Sequence, residues 1–196
     1  MKKIIILFSG EGSNLLNIIT SLHQKELDVV AAITNRPQAA GIAKAEAHGV
    51  PVVIIDHTAF STREAFDTAL LEQIKDIEHD LVVMAGFMRI LTPVVTDHIR
   101  AINVHPSLLP LFKGAKAIEK SFESSETEGG ISVHWVSSEL DGGEVIAQAA
   151  FKKSQDESLE SFRAKVRELE HRLLPETILS ILKAPGADDE VREFTE

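Results

Sequence analysis

Along the first hundred residues, short apolar runs alternate with longer stretches in which apolar positions recur every three or four residues. "KIIILFS" (3–9) is apolar on both faces. "SNLLNIITSLHQKE" (13–26) follows, with Leu15, Ile18, Ile19 and Leu22 at helical spacing. The pattern then repeats. "DVVAAIT" (28–34) reads as a strand and "AGIAKAEAHG" (40–49) as a short helix closed by Gly49. "PVVIID" (51–56) is a third strand. "STREAFDTALLEQIKDIEH" (61–79) opens on a capping box from Ser61 to Glu64, with a stripe through Phe66, Leu70, Ile74 and Ile77. "DLVVMAGF" (80–87) is a fourth strand. "TPVVTDHIR" (92–100) has Thr92 as N-cap and Pro93 at the first helical position, and "AINVH" (101–105) is a fifth strand. Strands that are apolar on both faces and separated by helices are parallel strands covered on both sides.

After residue 105 the rhythm changes. "AIEKSFESS" (117–125) predicts a helix, and "GGISVHWVSSELDGGEVIAQAAFKK" (129–153) two strands joined by a turn-rich loop. "SLESFRAKVRELEHRLLPETILSILK" (158–183) is a helical tail in which Pro175 must start a new helix or kink the old one. The expected architecture is α/β: a single-domain, mostly parallel doubly wound sheet with an antiparallel addition and a C-terminal helix. The domain runs over 1–184, and 185–196 reads as a solvated tail.

Composition narrows the function. The 196-residue chain is long enough for one well-buried domain, and its 44% apolar content fits a globular protein. A net charge of -10 disfavours nucleic acid as a partner, although a local positive site is compatible with it. There is no cysteine, which rules out disulfides, thiolate–zinc sites and a thiol nucleophile. The apolar run near the N-terminus is too short for a signal peptide or a membrane span, so the expected location is the cytoplasm. The quaternary state stays open, a homodimer included.

Two loops carry candidate chemistry. In "SGEGSN" (9–14), Gly10 and Gly12 allow a tight turn, and Ser13 and Asn14 open a helix, where free N–H groups favour an anion. Neither a third glycine nor an acidic residue after the second strand is present, so a dinucleotide is not expected. The loop is either a phosphate site or an ordinary glycine turn. Glu11 suits an anion site only if its side chain faces water. In "INVHPSLLPLFKG" (102–114), Asn103 and His105 lie at the carboxyl end of the fifth strand and point the same way. They are either a catalytic amide–imidazole pair or a satisfied strand-end histidine. Asp141, before Gly142 and Gly143, either orients an imidazole or makes a common Asp–Gly turn. His134 alternates with apolar residues in its strand and reads as structural. No G-x-S-x-G elbow and no HxH or HExxH pattern occurs, so neither a serine hydrolase nor a metal is expected.

"FSGEGSNL", "AGFMRIL", "INVHPSLLPLFKG" and "SVHWVSSELDGG" together resemble the phosphoribosylglycinamide formyltransferases, colinearly from about Lys2 to about Pro175. The resemblance implies a Rossmann-like formyltransferase fold. It also implies transfer of a formyl group from 10-formyltetrahydrofolate to the amine of glycinamide ribonucleotide in purine synthesis, with no metal. By the same resemblance Asn103, His105 and Asp141 are catalytic, stabilising a tetrahedral intermediate and relaying protons. Gly12, Ser13, Asn14, Glu170 and Arg63 bind the ribonucleotide or another ligand group. Arg89, Ile90, Leu91, Leu140, Gly142 and Gly143 contact the folate. The sequence departs from the family pattern at Lys116, where many members carry histidine, and at Glu11.

Rival readings fare worse. Methionyl-tRNA formyltransferase needs a further C-terminal domain and a basic surface; formyltetrahydrofolate deformylase needs a preceding regulatory domain, yet the first strand starts near residue 2. A non-catalytic folate or phosphate module would be expected to have lost Asn103, His105 or Asp141.

Overall fold

The computed structural model describes residues 1–184. The first strand shows how the layers arise. In β1 (Lys3–Phe8), Ile4, Ile6 and Phe8 join one core cluster while Ile5 and Leu7 join another, so both faces of the strand are covered. α1 (Ser13–Leu22) buries Leu15, Ile18, Ile19 and Leu22 against the first cluster, as the spacing requires. β2 (Asp28–Thr34), α2 (Gly41–Glu46) and β3 (Val52–Ile54) follow. α3 (Arg63–Lys75) places Phe66, Leu70 and Ile74 in the second cluster. β4 (Leu81–Met84), α4 (Pro93–Thr96) and β5 (Ala101–His105) complete the parallel part. Then come α5 (Ala117–Glu123), β6 (Glu128–Trp135), β7 (Val145–Lys152) and α6 (Leu159–Lys183).

The seven strands form one sheet in the order β3-β2-β1-β4-β5-β6-β7. The pairs among the first five strands are parallel, and β6 runs antiparallel to both β5 and β7. The chain winds outward from β1 to β3 and then crosses back to β4 on the other side. That reversal opens a crevice at the carboxyl ends of β1 and β4, where open α/β sheets bind ligands.

Two local expectations are corrected, and of the two alternatives at Pro175 one is excluded. The α3 cap is Thr62, whose Oγ1 accepts from Ala65 N at 3.1 Å, so the box from Ser61 to Glu64 does not form. α4 is one turn and stops at Thr96 instead of reaching residue 100. Pro175 does not start a new helix: α6 runs through it. An internal proline costs about 3 kcal/mol, partly because the carbonyl four residues back loses its donor. Here that carbonyl belongs to His171, and Asn17 Nδ2 supplies the missing bond at 2.7 Å. The expected tail at 185–196 lies outside the described residues. Among the described residues, no helix is long and apolar enough to cross a membrane.

Candidate active site

The first loop leaves the sheet under tight control. Ser9 is buried beyond the end of β1; its Oγ donates to Asn35 Oδ1 (2.5 Å) and accepts from Met88 N (2.7 Å), while its N–H donates to Gly86 O (3.1 Å). The segments after β1, β2 and β4 are thereby tied at the crevice. Gly12 takes φ +69°, and a Cβ there would sit 2.8 Å from Gly41 Cα, so only glycine lets the loop lie against α2. The Glu11 side chain is 86% exposed, and Lys44 Nζ donates to the Glu11 carbonyl at 2.5 Å. The carboxylate is exposed but lies 3.9 Å from Lys44 Nζ, so this lysine is shared between the loop carbonyl and Glu11.

α6 closes this loop from the other side. Ser13 Oγ lies 2.7 Å from His171 Nε2, and Asn14 Nδ2 donates to Glu170 Oε2 at 3.2 Å. Burial pushes the Glu170 carboxyl above its ordinary value, against the Asn14 bond and the Arg167 charge. Burial, then the Arg167 charge, pushes His171 down. Asn14 Oδ1 is buried with no partner, an acceptor left over for something that enters the site. A cavity of about 480 Å³ is bounded here by Glu11, Ser13, Asn17, Lys44, Arg167 and His171. Sequence reasoning found Ser13, Asn14 and Glu170 but missed Lys44, Arg167 and His171. The spacing of Arg167, Glu170 and His171, three and four residues apart on one helix, was the available signal.

The second constellation depends on sheet register. Asn103 and His105 both face the cleft from β5, and the antiparallel pairing sets His134 of β6 opposite Asn103. His134 Nδ1 faces the Trp135 carbonyl at 2.9 Å, which assigns the ring proton to Nδ1 and leaves Nε2 to accept from Asn103 Nδ2 at 3.1 Å. Burial pushes the His134 pKa down, so the ring is neutral and its 3.7 Å approach to Asp141 is a contact, not an ion pair. His134 fixes the amide of Asn103 and leaves the second N–H of that amide to point elsewhere. His105, 5% exposed, presents Nε2 to the Phe112 carbonyl at 2.9 Å and Nδ1 to Asp141 Oδ2 at 3.4 Å. A neutral ring donates to one oxygen; an imidazolium serves both. Asp141 itself has φ +49°, and its Oδ2 also accepts from Gly114 N at 2.8 Å.

These groups line a cleft of about 540 Å³, a size suited to a small-molecule ligand, that reaches from Asn14 and Glu170 to Asn103, His105 and Asp141. Its lips are apolar and exposed at Met88, Ile90 and Leu140. Behind Asn103 and His134 lies a recess of about 40 Å³ lined by Arg89, Ile90, Leu91 and Leu140. Asp67 ties this wall down: its buried carboxylate accepts from Thr92 N (2.6 Å) and Thr92 Oγ1 (2.7 Å). Arg89 lies over the Phe66 ring, 4.8 Å from its centroid. Lys116, at φ +59°, precedes α5 and lines the cleft. Four residues expected to contact a ligand, Gly12 among them, line none of these spaces. Arg63, exposed at the start of α3, is not in the cleft wall. Gly142 and Gly143 are not in the wall either; they build the turn that presents Asp141, and a Cβ on Gly143 would sit 1.7 Å from the Trp135 carbonyl oxygen. Among the described residues, no group of three or more His, Cys, Asp or Glu is placed to hold a metal ion.

An amide, an imidazole and a carboxylate thus meet over the carboxyl end of β5 in an α/β sheet, the arrangement of side chains a group-transfer enzyme would use. Residues 2–178 match the formyl transferase family, and the chain belongs to that family. The phosphoribosylglycinamide formyltransferase of Escherichia coli (strain K12) is 39% identical over 176 residues, covering 88% of this chain and 83% of the relative. The crystal structure of phosphoribosylglycinamide formyltransferase from Campylobacter jejuni subsp. jejuni NCTC 11168 superposes with a TM-score of 0.90 at 52% identity, covering 92% of this chain and 97% of that one. The trifunctional purine biosynthetic protein adenosine-3 of Bos taurus is 37% identical over 94% of this chain, which spans only 18% of that relative's length.

Proposed function

We propose that the chain transfers the formyl group of 10-formyltetrahydrofolate to the amine of glycinamide ribonucleotide, a step of purine synthesis, by direct attack and without a covalent enzyme intermediate. One observation carries this reading: the oriented Asn103 amide and the His105–Asp141 pair converge on one wall of a cleft whose far end is the Ser13–Asn14 loop. The phosphate lies on the N–H groups opening α1, with Lys44, Arg167 and His171 as nearby cations or donors. The unpartnered Asn14 Oδ1 and Glu170 receive hydroxyl or amine groups of the sugar end. Folate lies along the apolar lip of Met88, Ile90 and Leu140, beside Arg89 and Leu91.

The substrate amine adds to the formyl carbon, and charge develops on the formyl oxygen. The free N–H of Asn103 stabilises that oxyanion, with the His105 ring beside it as the acid–base group. Asp141 orients the His105 ring and takes part in passing the amine proton to the folate nitrogen as the carbon–nitrogen bond to folate breaks. Every group used comes from one chain, so monomer and homodimer are equally competent. The catalytic unit spans 1–184, and the enzyme works in the cytoplasm on small molecules.

The test is to mix purified protein with 10-formyltetrahydrofolate, with and without glycinamide ribonucleotide, and follow formyl loss by absorbance and product by mass. Formylated ribonucleotide is expected, reduced about 10²- to 10⁴-fold in His105→Ala and Asp141→Ala. Formyl loss without acceptor, or full activity in either variant, overturns the reading.

A further inference from the structure

Pro175 lies inside the 25-residue helix α6 and is itself buried. Proline has no N–H for the carbonyl four residues back, and its ring pushes that carbonyl away from the helix axis. The carbonyl is His171 O, and Asn17 of α1 donates to it at 2.7 Å. Asn17 lies one turn beyond Ser13 and Asn14. The side chains of those two residues meet His171 (2.7 Å) and Glu170 (3.2 Å), next to the same carbonyl. Two residues of α6 thus meet three of α1, and one of the contacts uses a backbone acceptor that an ordinary helix would have consumed internally.

We propose that Pro175 is a positioning residue for the ribonucleotide site: by releasing the His171 carbonyl to Asn17, it sets the register of α6 on α1, so that Glu170 and His171 stand against Ser13 and Asn14. The inference rests on the assignment of this end of the cleft to the ribonucleotide. An alanine at 175 restores the N–H and removes the ring. The His171 carbonyl then turns back along the helix, the Asn17 bond lengthens, and Glu170 and His171 shift relative to the loop. The folate end of the cleft is built from the 87–91 and 137–141 segments and does not feel the change.

The experiment measures initial rates for wild type, Pro175→Ala, Asn17→Ala and the double variant, with each substrate varied in turn, alongside thermal melts. Pro175→Ala is expected to raise KM for glycinamide ribonucleotide about tenfold while kcat and KM for the formyl donor stay within about twofold. Asn17→Ala is expected to give the same split. The double variant is expected to be no worse than the worse single one, because both substitutions remove one bond. An unchanged ribonucleotide KM in a folded Pro175→Ala protein overturns the inference, as does a double variant whose two KM increases multiply. If Pro175→Ala fails to fold, Asn17→Ala alone decides by the same KM criterion. A wild type that does not formylate the ribonucleotide overturns the functional reading, and this inference with it; an active wild type with an unmoved KM in the variants overturns this inference alone.

Discussion

Asn103 shows how much a neighbour decides for one side chain. An asparagine beside a cleft offers its oxygen and its nitrogen with equal ease. Here the neutral His134 ring, held by the Trp135 carbonyl, accepts one N–H and so fixes which end of the amide is the donor. His134→Leu removes that acceptor and frees the amide to rotate. We expect kcat to fall about 10- to 100-fold, roughly 1.4–2.7 kcal/mol of transition-state stabilisation, with both KM values nearly unchanged; steady-state kinetics on the folded variant checks this. Glu170 makes the opposite trade. Burial raises its folded pKa above the ordinary 4.5, so between those values the folded state holds more protons than the unfolded one. Stability therefore falls as pH rises through that window and stays lower above it. Glu170→Gln does not ionise. It is expected to be more stable than wild type at neutral pH, to lose that advantage well below pH 4.5, and to bind the ribonucleotide more weakly; urea titrations at the two pH values and a KM measurement test both halves.

Among the elements, the wall that faces the folate depends on a helix that never enters the cleft. Asp67 sits among the buried residues of α3 and spends its carboxylate on the backbone and hydroxyl of Thr92, at the end of the 87–92 segment. Asp67→Ala strands both donors, at a cost of about 2–3 kcal/mol. The expected outcome is a lower urea midpoint with an unchanged slope, and a KM that rises for the formyl donor and not for the ribonucleotide. A rise in the ribonucleotide KM alone would contradict this division of the cleft between its two ends. In sequence, Asp67 is one acidic residue in an amphipathic helix, and nothing in that pattern says that its side chain points inward.

For the molecule as a whole, an acidic chain brings Lys44 of α2 and Arg167 of α6 to one cavity beside the first loop, with the exposed Glu11 at its edge paired to Lys44. The same packing gives a pH dependence. His134 and His171 both have folded pKa values below the ordinary 6.5, chiefly from burial. Below 6.5 the unfolded chain takes up protons that the folded chain refuses. The contribution of these two residues is thus complete above pH 6.5 and is lost as pH falls through the window beneath it. The variant His134→Gln/His171→Asn is expected to show a shallower loss of unfolding free energy between neutral and mildly acidic pH than wild type. Equal slopes would show that the two histidines do not carry it.

The alternation of two-faced apolar runs with helical stripes pointed to the parallel part of the sheet, because strands buried on both faces and joined by helices pack in parallel between helical layers. The glycine loop and the Asn-x-His strand end were legible for the same reason: backbone conformation and strand periodicity are local properties. What lies across the sheet or across two helices was not. His134 became a partner of Asn103 only through the β5–β6 register. The carbonyl that Pro175 leaves free in α6 found its donor in Asn17, 158 residues earlier than the proline. Thr62 displaced Ser61 as the α3 cap, since one step of phase decides which hydroxyl meets the free N–H. Local chemistry follows from the order of residues, whereas pairing between distant segments follows from packing the whole chain, and the candidate site is built largely of such pairings.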